Sequence, residues 1–221
     1  MPPLMIFAAG FGTRMRPLTD TRPKPLVQVA GKTLLDRALA LGQDAGCSPV
    51  AVNTHYLGDQ IADHLSAQDI AISPEAQILD TGGGLRQALP LLGAGPVMTL
   101  NPDVVWTGAN PLTALAEAWD DRMDALLMLV PLARATARQG GGDFAMDSDA
   151  RIARKGDFVY AGAHMLRPDR LADIAETVFS LNLVWDRLIA EGRAFGLIHP
   201  GGWCDVGNPQ AIPLAEALLN G

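Results

Sequence analysis

Residues 4–19 read LMIFAAGFGTRMRPLT. The apolar run Leu4 to Ala9 leads straight into Gly10-Phe11-Gly12. A short apolar run closed by glycine is the pattern of a buried strand ending in a loop. In open α/β sheets, ligands lie beyond the carboxyl ends of the strands. Closely spaced glycines there let backbone N–H groups approach an anion, and Arg14 and Arg16 add planar forks that match phosphate oxygens. The stretch is not a Walker loop, because no Gly-Lys-Ser/Thr follows. It is not a dinucleotide fingerprint either: Met15 occupies the third glycine position, and Pro17 interrupts the helix that should begin there. Taken alone, Gly-x-Gly is equally compatible with a structural tight turn.

Outward from this stretch, strands and helices alternate. The spacing predicts a helix over 33–45, with Leu34, Leu35, Ala38, Leu39 and Leu41 on its apolar face and Gly46 as its stop. Strands are expected at 49–54, 70–73, 96–100 and 125–131, and helices at 57–65, 85–92 and 111–119. Such alternation implies parallel βαβ units with both sheet faces covered. The pattern changes after residue 131. Short strands at 143–146, 151–153 and 158–165, joined by polar turns, predict an antiparallel excursion over about 140–166. Helices at 181–191 and 209–220 flank a last strand at 195–199. The fold class expected is α/β: a single Rossmann-like domain over 1–221, with a mixed, mostly parallel sheet and helices on both faces.

Composition narrows the function classes. The 221 residues carry a formal charge of −7, with 48% hydrophobic and 19% charged residues. That is far from the disordered corner of low hydrophobicity and high charge. The acidic balance argues against a nucleic-acid partner but not against a small anionic ligand, for which a few local cations suffice. The apolar run 126–133 contains Pro131 and is too short to span a bilayer. The N-terminal residues lack a signal-peptide pattern, so a cytoplasmic protein, monomeric or a small homo-oligomer, is expected. Cys47 and Cys204 are too few for a disulfide framework. Among 17 basic residues only Lys24, Lys32 and Lys155 are lysines. Where arginine is habitual, a lysine points to a position that wants a compact ammonium.

Lys24 stands between Pro23 and Pro25. A stiffened loop presenting one ammonium near a glycine- and arginine-rich loop suits charge stabilisation on a transferring phosphoryl group, although a solvated lysine fits the same residues. Asp103 follows the apolar run 97–100, which would place it at the ligand edge of the sheet. Asp205 can reach it only through folding. Magnesium commonly takes one or two protein carboxylates and fills its remaining sites with phosphate oxygens and water.

Taken together, AAGFGTRMRPLT, PKPL (24–26 with Pro23), Val52-Asn53-Thr54-His55-Tyr56-Leu57, Asp80-Thr81-Gly82-Gly83-Gly84, Asn101-Pro102-Asp103 and Trp203-Cys204-Asp205-Val206-Gly207 resemble, in order, the motifs of the sugar-1-phosphate nucleotidylyltransferases. The short chain and its Thr-Gly-Gly-Gly are similar to the N-acetylmuramate-1-phosphate uridylyltransferase branch, with mannose-1-phosphate guanylyltransferases and glucose-1-phosphate enzymes as alternatives. The resemblance implies nucleotidyl transfer from a nucleoside triphosphate, UTP favoured, to a sugar 1-phosphate with Mg²⁺. It implies that Ala9, Gly10, Gly12, Thr13, Arg14, Lys24, Gln77, Gly82 and Gly83 bind nucleotide. Arg14, Lys24 and Asp103 would be catalytic. Asn101, Asp143, Gly162 and Asn182 would meet the sugar, and Asp103 and Asp205 the metal. Two departures stand out. Pro102 replaces the family's usual glycine, which raises a catalytically weak nucleotide-sugar sensor as an alternative. Lys155 is a poor match to the family's second lysine and reads as well as an exposed hairpin residue.

Overall fold

The computed structural model describes residues 1–221. Along the chain lie β1 (Leu4–Phe7), β2 (Gln28–Val29), β3 (Lys32–Thr33), α1 (Leu34–Ala45), β4 (Val50–Thr54), α2 (Gly58–Leu65), β5 (Ala71–Pro74) and α3 (Asp80–Leu92). Then come β6 (Val97–Leu100), β7 (Val104–Trp106), α4 (Pro111–Ala118), β8 (Ala125–Pro131), β9 (Phe144–Met146) and β10 (Ile152–Arg154). The chain continues through β11 (Phe158–Leu166), α5 (Leu181–Ala190), β12 (Ala194–Ile198), β13 (Trp203–Asp205) and α6 (Ala211–Asn220). No helix is long and apolar enough to cross a membrane.

The helix ends follow local chemistry. Thr33 caps α1 by accepting from Asp36 N at 3.0 Å, and Gly46 closes it in the left-handed conformation at φ 73°. Asn110 caps α4 in the same way as Thr33, ahead of Pro111 at the first helical position.

In one half of the main sheet, β5, β4, β1 and β6 are parallel. β11 then pairs antiparallel with both β6 and β8, and β12 runs parallel to β8. The register explains the apolar run in β8. Leu126, Met128 and Val130 face the core beneath α1, α2 and α4, while Ala125, Leu127 and Leu129 face the core beneath α3 and α5. A strand buried on both faces has no polar alternation to show.

This order corrects one expectation. Residues 158–166 are not part of an excursion: β11 is inserted between β6 and β8 in the middle of the sheet. Only the β9–β10 hairpin projects from it, attached where Phe144 meets Phe158. Helix α3 also starts five residues earlier than the periodicity predicts, at Asp80, and takes in Gly82, Gly83 and Gly84. Their poor helix propensity hides a turn that tertiary packing enforces.

Two short ladders lie outside the main sheet, β2–β3 and β7–β13. Neither was expected. Helix α6 covers both: Ala215 packs with Val29, Val105, Cys204 and Val206, and Glu216 Oε1 accepts from Ala30 N at 2.9 Å. Both cysteines are free and buried.

Candidate active site

The loop after β1 is folded around Lys24. Asn53 at the end of β4 accepts from Ala8 N at 2.7 Å, which holds the loop's first turn. Gly12 sits at φ 62°, and a Cβ there would lie 2.8 Å from Lys24 Cβ, so only glycine fits. Thr19 Oγ1 donates to Gly12 O at 2.8 Å and closes the loop. Gly10 has open space where its Cβ would be, leaving that backbone face accessible. Lys24 opens a 3₁₀ turn between two prolines and places Nζ 2.5 Å from Asp103 Oδ2, with its side chain only 13% exposed.

Asp103 lies between β6 and β7. Asn101 N donates to Gly162 O at 2.7 Å, which ties this corner to β11. Gly162 is at φ 92°, and its missing Cβ makes room for Asn101 and Val104. The β7–β13 ladder sets Asp205 opposite Val104, and Val206 N donates to Asp103 O at 2.9 Å. Two carboxylates far apart in sequence are therefore brought together, Asp103 just before β7 and Asp205 at the end of its partner strand β13. Burial pushes the Asp205 carboxyl up, and the charge of Asp103 pushes it further; Lys24, Arg14 and Arg138 oppose the rise. The Asp205 carboxylate accepts no hydrogen bond from the protein.

A cleft of two lobes meets at this corner. The first, about 280 Å³, is lined by Ala8–Gly12 (except Phe11), Lys24, Asn53, Glu75, Asp80, Thr81 and Asn101–Asp103. The second, about 270 Å³, is lined by Arg14, Arg138, Asp143, Arg154, Tyr160, Gly162, Asn182, Trp185, Trp203 and Asp205, and shares Asn101 and Asp103 with the first. Of the residues expected to meet nucleotide, Ala9, Gly10, Gly12 and Lys24 are on the first lobe and Arg14 is on the second. All four expected sugar residues line the second.

Four of the residues expected to meet nucleotide line neither lobe. Thr13 and Gln77 are exposed and line neither lobe. Gly82 and Gly83 are buried against residues 177–179: their N–H groups donate to Phe179 O at 2.9 and 3.1 Å, and a Cβ on Gly82 would strike the Phe179 ring at 2.3 Å. Both are packed against this segment. Gly84 likewise makes room for Glu75, whose Oε1 accepts from Asn53 Nδ2 at 2.6 Å and Oε2 from Leu79 N at 2.9 Å. Lys155 is exposed on the β10 turn, and its neighbour Arg154 enters the second lobe instead.

Glu75, Arg138 and Arg154 escape sequence reading because each stands in a polar loop or hairpin with no periodic signal. The histidines are structural. His55 Nδ1 lies 2.8 Å from Glu75 O, His64 pairs with Asp36, and His164 is buried beside Thr99 and Tyr160.

The donor set around Asp103 and Asp205 suits one class of ion. No group of three or more His, Cys, Asp or Glu side chains is assembled. Two half-buried carboxylates, one of them without a hydrogen-bond donor, match a hard divalent cation that completes its shell with phosphate oxygens and water.

An α/β domain with a glycine loop, a fixed ammonium and two facing carboxylates at the strand ends is that of a nucleotidyltransferase, and residues 4–176 match the profile of the MobA-like NTP transferase domain, the family to which this chain belongs. Within it, the chain is 43% identical to an N-acetylmuramate alpha-1-phosphate uridylyltransferase from Caulobacter vibrioides, over 97% of this chain and 96% of that one. It is 38% identical to a protein of the same name from Neisseria meningitidis, with the same coverage. A probable mannose-1-phosphate guanylyltransferase from Oryza sativa is more distant, at 28% identity over 93% of this chain and 61% of that one. The fold is shared with a putative glucose-1-phosphate thymidylyltransferase from Bacillus anthracis, at TM-score 0.83 and 14% identity over 99% of this chain and 95% of that one.

Proposed function

We propose that this chain transfers a uridylyl group from UTP to N-acetylmuramate α-1-phosphate, releasing pyrophosphate. The reading is carried by one observation: two lobes of similar size meet at Asp103, with Lys24 fixed between them. The nucleotide occupies the first lobe and the sugar phosphate the second, so that the α-phosphorus lies at their boundary. A phosphate oxygen of the sugar attacks that phosphorus in line. The new P–O bond forms as the bond to the β-phosphate oxygen breaks, and its electron pair leaves with pyrophosphate. The incoming phosphate is already anionic, so no protein nucleophile is required. The protein's contribution is positioning and charge. Lys24 holds a proton at Nζ and offers it to the phosphate oxygens, and Asp103 orients that ammonium. Gly10 and Gly12 let the polyphosphate approach the backbone. Arg14 faces the same oxygens from the second lobe. Mg²⁺, held by Asp103 and Asp205, would reduce repulsion between the two phosphate groups.

The 43% and 38% relatives favour muramate and uracil over mannose and guanine. A panel of triphosphates and sugar 1-phosphates, read by pyrophosphate release with and without magnesium, tests the assignment. UTP with N-acetylmuramate 1-phosphate is expected to give the highest kcat/KM. Preference for GTP with mannose 1-phosphate would replace that pair, and binding without turnover would leave only a sensor.

A further inference from the structure

The second lobe holds a cation that the chemistry at Asp103 and Asp205 leaves unused. Arg154 ends β10. Its Nε donates to Asp186 Oδ1 at 2.6 Å, and its Nη2 donates to Asn182 Oδ1 at 2.8 Å and Asn182 O at 3.2 Å. The guanidinium lies 4.7 Å from the centre of the Phe144 ring. A guanidinium so fastened is oriented before any ligand arrives, and Nη1 donates to nothing in the protein.

Its place in the lobe separates it from the other two arginines. A Cβ on Gly207 would lie 3.1 Å from Asp205 Oδ1 and 3.5 Å from Arg14 Nη1, so Arg14 stands at the reacting end. Thr136 O accepts from Asp205 N at 3.1 Å, which puts the segment carrying Arg138 there too. Arg154 belongs to a separate wall, made by β10 and α5. Beside it, Trp185 is 5% exposed and its Nε1 donor has no partner. This wall presents the unengaged Nη1 of Arg154 and its positive charge to whatever part of the sugar lies away from its phosphate.

N-acetylmuramate differs from N-acetylglucosamine by a carboxylate on an ether arm, remote from the anomeric phosphate. Asp103, Asp143 and Asp205 all line the lobe, so an unpaired substrate carboxylate entering it would be repelled. We propose that Arg154 receives that carboxylate and selects an acidic sugar 1-phosphate over a neutral one. This rests on the assignment of the second lobe to the sugar. Asp186 holds Arg154 ready in the empty protein, and at 57% exposure it remains hydrated and competes weakly.

The test compares kcat/KM for N-acetylmuramate 1-phosphate and N-acetylglucosamine 1-phosphate, each with UTP, in the wild type, R154Q and D186N. The ratio of the two constants within one preparation is independent of how much protein is folded. R154Q is expected to lower that ratio by ~10–100-fold, mainly through KM for the acidic sugar, as befits a lost charged hydrogen bond. D186N keeps an oxygen acceptor for Nε but removes a negative charge, and is expected to raise the ratio by ~2–5-fold. Equal losses on both sugars in R154Q, or no change in the ratio, would overturn the proposal. A wild-type protein that treats both sugars alike overturns the substrate assignment itself, and does so before any variant is made.

Discussion

The two lobes of the cleft are built by different means. The first is assembled at the ends of parallel strands, where β1, β4 and β6 deliver Ala8–Gly12, Asn53 and Asn101–Asp103, and backbone forms much of its wall. The second is assembled around the antiparallel strand β11, from side chains on eight separated segments, arginines and aromatics foremost. Amides and glycines accept an anion whatever it is attached to. Placed side chains discriminate. The comparison teaches that a fold can keep its phosphate chemistry in backbone geometry and its selectivity in side chains.

The largest effect should come from the boundary between them. Lys24→Ala is expected to lower kcat by ~10²–10³-fold, the usual loss for one preorganised charged donor, with the thermal unfolding curve unchanged. Near-normal turnover would place the chemistry elsewhere. Gly82→Ala probes whether the buried glycines at the start of α3 bind or pack. Its Cβ would meet the Phe179 ring, so a cost of about 3 kcal/mol is expected, seen as a Tm lower by roughly 6–12 °C. A raised KM for UTP with an unshifted Tm would return Gly82 to the ligand surface.

Acid should weaken the fold through His164, which lies buried behind Tyr160 of the second lobe. Burial holds His164 down to about 3, so the folded protein keeps it neutral. The unfolded chain titrates it near its ordinary value of about 6.5 and binds a proton that the native state refuses. Stability from this group is therefore complete above that value and is lost as pH falls toward the folded one. Urea unfolding at pH 7 and pH 5 should differ by about 2 kcal/mol more in the wild type than in His164→Asn. Identical differences would show that His164 is protonated in place. Lys155→Gly should do least: kcat/KM and stability should stay within about twofold and ±0.5 kcal/mol, since an exposed turn residue at positive φ contacts neither lobe. A tenfold loss of kcat/KM would restore Lys155 as the second lysine.

Sequence legibility follows the same division. The parallel half declares itself through local signals: Thr33 and Gly46 around α1, Asn110-Pro111 at α4, and the apolar runs of β1 and β6. The glycine loop, Lys24 and Asp103 can be read because each lies just beyond such a run. The insertion of β11 cannot, because apolar content gives a strand but not its neighbours. The β7–β13 ladder escapes because three residues carry no period. Arg154 and Lys155 are adjacent, and only the hairpin's left-handed turn at Lys155, φ 67°, decides which of them enters the lobe.

The pairing of β7 with β13 also bears on when the protein can become active. The ammonium of Lys24 can find Asp103 once the early strands have formed, but the facing carboxylate arrives only with residues 203–205. Without β13 the loop would keep its Lys24–Asp103 pair but lack the second carboxylate. The two carboxylates come together only when β13 has paired with β7 beneath α6.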